Sequence, residues 1–330
     1  MNNQYLSYID RFSSVNIMVI GDLILDEYIF TEVNRISPEA PVQVCLIKNK
    51  KKLLGGSANV ANNIISFGGK CIPIGIVGDD KNGKELLNLL EKKGMPIEGI
   101  TIEHKRPTTT KSRIIAHNQQ LLRLDNEDTS RLGKEVKKKI LFSIEEFASQ
   151  VQAIILEDYG KGVICKEVIQ KSIEISKKYN LPIIVDPKIE NFRLYRDITL
   201  MTPNNFEASY GSGIKIKDKK SLIKAGKKLI EKLNMKALLI TQGSEGMTLF
   251  TDKGEKIVHI PTVAKEVYDV TGAGDTVVAL MGMVLSLNSE DFYRASIIAN
   301  AAAGIVVGKI GTATVSPEEL KKTLKENHFV

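Results

Sequence analysis

The segment "EVYDVTGAGDTVVALMGMV", residues 266–284, carries the reading of the fold. A polar turn holding Gly272 and Gly274 runs into a stretch that is apolar nearly all round, which predicts a buried helix. The N-terminus of such a helix has unpaired N–H donors and the positive end of the helix dipole, and so suits phosphate oxygens. Asp275 sits at that mouth. On this segment alone, a helix cap and a catalytic carboxylate account for it equally well.

Outward from this segment, short β-rich runs alternate with helical patterns along the chain. Strands are predicted at "NIMVIGD" (16–22), "CIPIGIVGDD" (71–80), "AIILED" (153–158), "PIIVDP" (182–187), "ITLMTPN" (198–204) and "ALLITQG" (237–243). "SANVANNIISFGGK" (57–70) places Ala58, Ala61, Ile64, Ile65 and Phe67 on one helical face, with Gly68 and Gly69 as the stop. Further helices are predicted at 83–95, 165–180 and 220–234. This alternation predicts an α/β fold with a mainly parallel central sheet and helices on both faces. Two regions, about 28–48 and 97–125, hold β-formers with no helix between them. They read as antiparallel strands inserted into the α/β body as a small β-sheet lid over a cleft. With no repeat or linker in view, residues 1–330 read as a single domain.

Composition narrows the class. The chain has 330 residues, 43% hydrophobic and 26% charged, as in a soluble globular protein. Cys45, Cys71 and Cys165 are scattered and odd in number, which fits a reducing compartment. The start "MNNQYLSYIDRF" lacks the basic and apolar regions of a signal peptide, and the longest apolar run, Val277 to Leu285, is too short to span a bilayer. These features predict a cytoplasmic protein with no membrane partner. The net charge of +7 lies largely in Lys-rich helical faces such as "KEVKKKI" and reads as solvated surface. No basic stripe with interleaved aromatics predicts nucleic-acid binding. "GDDKNGKE" (78–85) imitates a phosphate loop, but Glu85 stands where Ser or Thr is needed, so it reads as a turn into a helix. No G-x-G-x-x-G follows a strand, and His104, His117, His259 and His328 lack metal spacing.

Polar residues gather where predicted strands finish: Asp22 and Asp26, Glu157 and Asp158, Asp186 to Lys188, Asn204 to Glu207, and Thr241 to Gly243. In an open parallel sheet this edge is where ligands bind. "GGSANVANNIISFGG", "NNFE" (204–207), "TQGSEG" (241–246) and "DVTGAGDT" resemble, in order and spacing, four motifs of the ribokinase-like (PfkB) sugar kinase family. The likeness covers almost the whole chain. "GDLILDEY", "RISPEAPV", "TTTKSRIIAHNQQLLRLD", "EDYGKG", "VDPK" and "NAAAGIVVGKIGTATVSPEEL" are similar to that family's heptose 7-phosphate 1-kinases of lipopolysaccharide heptose synthesis, in many bacteria fused to an adenylyltransferase. Soon after "TVSPEEL" the sequence ends, so it resembles the kinase half alone. It departs from the likeness at Glu157 and Gln43.

The resemblance implies a ribokinase-like fold and ATP-dependent phosphorylation of a heptose 7-phosphate at its anomeric hydroxyl. It implies Asp275 as base, with Thr271, Gly272, Ala273 and Gly274 offering N–H groups to the phosphoryl group in transit. ATP and Mg²⁺ are implied, and a monovalent cation is allowed for. Asn204 and Glu207 would hold the Mg²⁺ through water; as a plain helix residue, Glu207 would serve the first turn. Lys188, Thr241, Gly243 and Gly246 fall on the nucleotide side. Asn300 falls near the adenine, or is a satisfied helix Asn. For the sugar, Asp22, Asp26, Asn59 and Asp158 offer hydrogen bonds, and Gly55 and Gly56 let backbone approach the ring. Arg35, Lys161, Lys111, Arg113 and Arg123 are candidates for the 7-phosphate, the last three from the lid itself or from a partner's lid. A homodimer through the lid is implied. The alternatives are another sugar kinase of the family (ribokinase, fructokinase or phosphofructokinase-like) and a non-catalytic sensing pseudokinase; the latter predicts damaged motifs, and these are intact.

Overall fold

The computed structural model describes residues 4–327 except 265, 310 and 312; His328 therefore lies outside the described residues. Its strands are β1 (Asn16–Gly21), β2 (Leu23–Ile36), β3 (Gln43–Gly56), β4 (Lys70–Gly78), β5 (Ile100–Glu103), β6 (Thr110–Ala116) and β7 (Gln119–Asn126). The chain continues with β8 (Ala153–Glu157), β9 (Ile183–Asp186), β10 (Leu200–Met201), β11 (Ala237–Thr241), β12 (Met247–Thr251) and β13 (Lys256–Ile260). The helices are α1 (Gln4–Arg11), α2 (Ser57–Ser66), α3 (Lys81–Lys92), α4 (Lys134–Phe147), α5 (Lys166–Tyr179), α6 (Asn205–Ser212), α7 (Lys219–Leu233), α8 (Ala273–Leu287), α9 (Phe292–Val306) and α10 (Pro317–Glu326).

Side chains alternate across a strand, so a sheet covered on both faces is apolar at nearly every position. In β1, Ile17 and Val19 enter one core, and Met18 and Ile20 the other. In β8, Ala153 and Ile155 follow the first, and Ile154 and Leu156 the second. The first core also holds α2, α8, α9 and α10; the second holds α4, α5 and α7. The result is a nine-stranded sheet in the order β13-β12-β11-β10-β9-β8-β1-β4-β5. It is parallel from β11 to β5, and β12 and β13 close one edge antiparallel. That edge hairpin was not foreseen in the sequence.

The remaining strands form a four-stranded sheet, β3-β2-β6-β7. Three expectations need correction. The first insert is longer than 28–48, because β2 and β3 run together from Leu23 to Gly56. The second insert divides: Ile100–Glu103 pairs parallel with β4 in the large sheet, and only β6 and β7 join the small one. Nor is the small sheet antiparallel throughout, since β2 and β6 run parallel. Strand 198–204 also shrinks to two residues. Thr202 still donates to the Val185 carbonyl, but Pro203 has no N–H, and Asn204 makes only a bridge to Thr241. The apparent phosphate loop is a helix start, where Asp80 caps α3 by accepting from the Gly83 N–H at 2.7 Å.

Candidate active site

The mouth of α8 answers the question of Asp275. Gly272, at φ 83°, is the N-cap residue and supplies no side-chain cap. Asp275, 4% exposed, does not cap the helix either. Its Oδ2 accepts from Asn59 Nδ2 at 2.6 Å and its Oδ1 from the Tyr159 hydroxyl at 2.8 Å. Behind it every residue to Leu285 is buried, so the helix is anchored and the carboxylate fixed. A Cβ added at Gly274 would meet nothing within 4 Å, so space opens directly before the first turn. Burial raises the proton affinity of Asp275, and the donors Asn59 and Tyr159 oppose that rise. The carboxyl is thus more basic than an ordinary Asp. The neighbouring N–H groups are not all available: Thr271 donates to Asp269 Oδ1 at 2.9 Å and Ala273 to the Val270 carbonyl at 3.3 Å.

Around Asp275 the structure gathers Asp26, Asn59 and Lys111, but it gives Asp22 and Asp158 different work. Asp22 accepts three backbone N–H groups, from Tyr159, Lys161 and Val163, at 2.9–3.1 Å. Burial pushes its carboxyl up to about 6, against those three donors. Asp158 accepts from the Gly160 N–H, Asn191 and the Tyr195 hydroxyl. Both acids therefore hold the loop after β8, where Gly160 and Gly162 take φ of 68° and 101°. Asp26 is buried and ion-paired to Arg113 Nη1 at 2.6 Å. Gly55 makes room for that carboxylate, because an added Cβ would lie 2.5 Å from Asp26 Oδ2. Gly56, at φ 56°, is likewise filled by the Asp22 carbonyl and Ile24. Both glycines thus have a packing reason inside the chain. Asn59 keeps a buried Oδ1 with no partner among the described residues.

The basic candidates separate. Lys111 stands 4.8 Å from the Tyr159 ring centroid, its proton affinity lowered by burial and held up by Asp26. Lys161 pairs with Glu127 at 2.7 Å. Arg123 spends its guanidinium on Asp125. Arg35 is exposed near the far end of β2, nine residues beyond Asp26, a span of roughly 30 Å in an extended strand. Neither Arg35 nor Arg123 joins the cluster in this chain.

On the nucleotide side, Asn204 and Glu207 form a capping box at α6. Asn204 Oδ1 accepts from the Phe206 and Glu207 N–H groups, and Glu207 Oε2 from the Asn204 N–H. Burial raises the proton affinity of Glu207, and Lys188 draws it back. Thr241 ends β11, with its N–H on the Pro203 carbonyl. Gly243, at φ 60°, faces open space, whereas a Cβ at Gly246 would strike the Ile260 carbonyl. Asn300 donates to the Pro261 carbonyl at 2.8 Å.

One of the strand-end acids has no role in the sequence reading. Glu157 is 0% exposed, in register with Gly21 and Asp186 at the ends of three central strands. Neither of its oxygens has a donor among the described residues. Burial first, then the Asp186 charge, raises its proton affinity well above the usual range. Asp186 is pushed up to about 8, by burial and then by Glu207. Two buried carboxyl groups thus stand side by side, each with its protonated form favoured. A cavity of about 790 Å³ opens beside the Tyr159–Gly162 loop, with Arg131, Lys161, Lys166 and Lys188 in its lining. Among the described residues no three His, Cys, Asp or Glu groups converge as a metal cage.

Known proteins share this fold. Escherichia coli phosphofructokinase-2, solved with substrates and products, superposes with a TM-score of 0.77 at 18% identity, covering 94% of this chain and 99% of that one. Arabidopsis thaliana ribokinase, solved with ribose and ATP, gives 0.71 at 20%, covering 94% and 98%. These likenesses establish a ribokinase-like fold. In sequence, the bifunctional protein HldE of Geobacter sulfurreducens is 42% identical over 315 residues, 96% of this chain and 64% of that protein. The chain thus spans somewhat under two thirds of such relatives. Residues 15–319 match the pfkB family of carbohydrate kinases, and the chain belongs to that family.

Proposed function

We propose that the chain transfers the γ-phosphoryl group of ATP to the anomeric hydroxyl of D-glycero-β-D-manno-heptose 7-phosphate, giving the 1,7-bisphosphate for ADP-heptose and lipopolysaccharide core synthesis. The observation that carries phosphoryl transfer is the Asp275 carboxylate, which leaves its own helix uncapped and is held instead by Asn59 and Tyr159, next to a glycine turn that opens onto free space. The choice of heptose phosphate is supported by the identity to HldE over nearly the whole chain and by "RISPEAPV" and "HNQQLLRLD".

In this reading Asp275 accepts the proton of the sugar hydroxyl. The nucleophile loses its proton late in a loose transition state, so orientation by Asn59 and Tyr159 counts more than basicity. Gly274 offers its N–H to the phosphoryl group, at the positive end of α8. Asn59 Oδ1 and the free side of Asp26 orient sugar hydroxyls. Lys111, Arg113 and Lys161 supply positive charge for the 7-phosphate. Mg²⁺ carried by ATP supplies neutralisation of phosphate charge. Glu207 and Asn204, with the Asp186 carboxyl electrostatically coupled to Glu207, would hold a hydrated divalent ion through water, and its charge would favour the ionised form of both acids. The four-stranded sheet acts as the lid. Its exposed Leu46, Ile47, Leu122 and Leu124 support a homodimer through that sheet, which would also engage Arg35 and Arg123. No described helix is long and apolar enough to cross a membrane, in keeping with a cytoplasmic site of action.

A coupled ADP-release assay across phosphorylated and free sugars tests the assignment. Turnover is expected with the heptose 7-phosphate and not with fructose 6-phosphate, fructose or ribose. The reverse pattern would replace the substrate and leave the kinase reading standing.

A further inference from the structure

Tyr159 has no role in the reading above beyond its contact with Asp275, and its setting is unusually determined. Its backbone N–H is held by Asp22 at 3.0 Å, and the next two alternate N–H groups, of Lys161 and Val163, are held by the same carboxylate. The left-handed turns at Gly160 and Gly162 give the loop its shape. So fixed, the side chain spans three parts of the fold. Its hydroxyl meets Asp275 on α8, its backbone is pinned near β1, and its ring carries the Lys111 ammonium from β6 of the small sheet. Among the described residues no carboxylate lies within ion-pair distance of Lys111, so the aromatic face is its seat. A carboxylate oxygen has a second lone pair, so Tyr159 can stay in place while Asp275 Oδ1 receives the sugar proton.

We propose that Tyr159 is a positioning residue for phosphoryl transfer: its hydroxyl orients the Asp275 carboxylate, and its ring seats Lys111 beside that base, tying the small sheet to the reacting centre. This rests on Asp275 being the base and is independent of which sugar is the acceptor. The groups facing Asp275 fall into two sets. Asp26 from β2 favours its protonated form, whereas Tyr159, Asn59 from α2 and Lys111 from β6 favour its charged form; Glu157 from β8 and Asp186 from β9 also face it, and its charge raises their proton affinity. Removing the Tyr159 hydroxyl must therefore raise the proton affinity of Asp275.

The test is Tyr159→Phe, which keeps the ring and removes the donor, measured as kcat against pH on whichever sugar phosphate the wild-type chain turns over best. A hydrogen bond to a charged group is worth enough to expect a fall in kcat of about ten-fold and an upward move of the acid limb by roughly one pH unit, with KM for ATP unchanged. Lys111→Met should move the acid limb in the same direction by a smaller amount. A structural role alone would alter the melting temperature and leave the limb where it is. If both variants keep the wild-type acid limb, the proposal is wrong. A wild-type chain that ignores heptose 7-phosphate and turns over another sugar would refute only the substrate assignment.

Discussion

Strands β8 and β7 mark the two extremes of this molecule. Every residue of β8 from Ala153 to Glu157 is buried, while every residue of β7 from Gln119 to Asn126 is exposed. The large sheet has helices on both faces, and its packing holds the catalytic edge in place. The small sheet has a core only at its inner end, where Leu25, Leu54 and Tyr28 are buried and where Asp26, Lys111 and Arg113 reach the site. Farther out it offers apolar side chains to solvent. Rigidity thus belongs to the sheet that carries Glu157, Asp186 and the approach to α8. The sheet that, in the proposed reading, brings charge to the sugar leaves its outer apolar side chains exposed.

Stability measurements give the largest contrast. Ile155→Ala in β8 should cost about 3 kcal/mol by chemical unfolding, the usual loss for a fully buried Ile with incomplete collapse around it. Leu124→Ala, at a position 50% exposed, should cost less than about 0.5 kcal/mol in the isolated chain. Leu124→Glu should in turn shift sedimentation toward a monomer. Equal costs at the two positions, with no change in sedimentation, would erase the distinction between the sheets.

A smaller effect sharpens it. Asp22 and Asp186, raised to about 6 and about 8, bind protons more tightly folded than unfolded. Their contribution is fully present below the ordinary carboxyl range near 4 and is lost as pH rises through 6 and then 8. The melting temperature should therefore fall by a few degrees between pH 5.5 and pH 9. Glu157→Gln gives Asp186 a neutral donor and should flatten that slope. A melting temperature that climbs over this range would contradict the raised proton affinity of these two acids.

The sequence showed the parts of the fold that repeat locally: apolar strands, amphipathic helices and the glycine-led mouth of α8. It also showed which acids end the strands. It did not show where those acids point. Asp22 and Asp26 stand four apart on one segment, yet one binds a loop 137 residues away and the other an arginine of β6. Tyr159, 116 residues from Asp275, resembles any loop tyrosine until the chain has folded. The parallel pairing of β2 with β6 was hidden for a similar reason, since the connection between them passes through the large sheet. Local periodicity reports what a segment forms, whereas hydrogen-bond direction is set by contacts distant in sequence.

The most direct measurement is the turnover of Asp275→Asn beside its nucleotide affinity. The substitution keeps the shape of the site and removes the proton acceptor. The account predicts a kcat lower by roughly a thousand-fold, within the range for loss of a general base, with ATP binding unchanged. A variant with near-normal kcat would show that the carboxylate at the mouth of α8 is not the base.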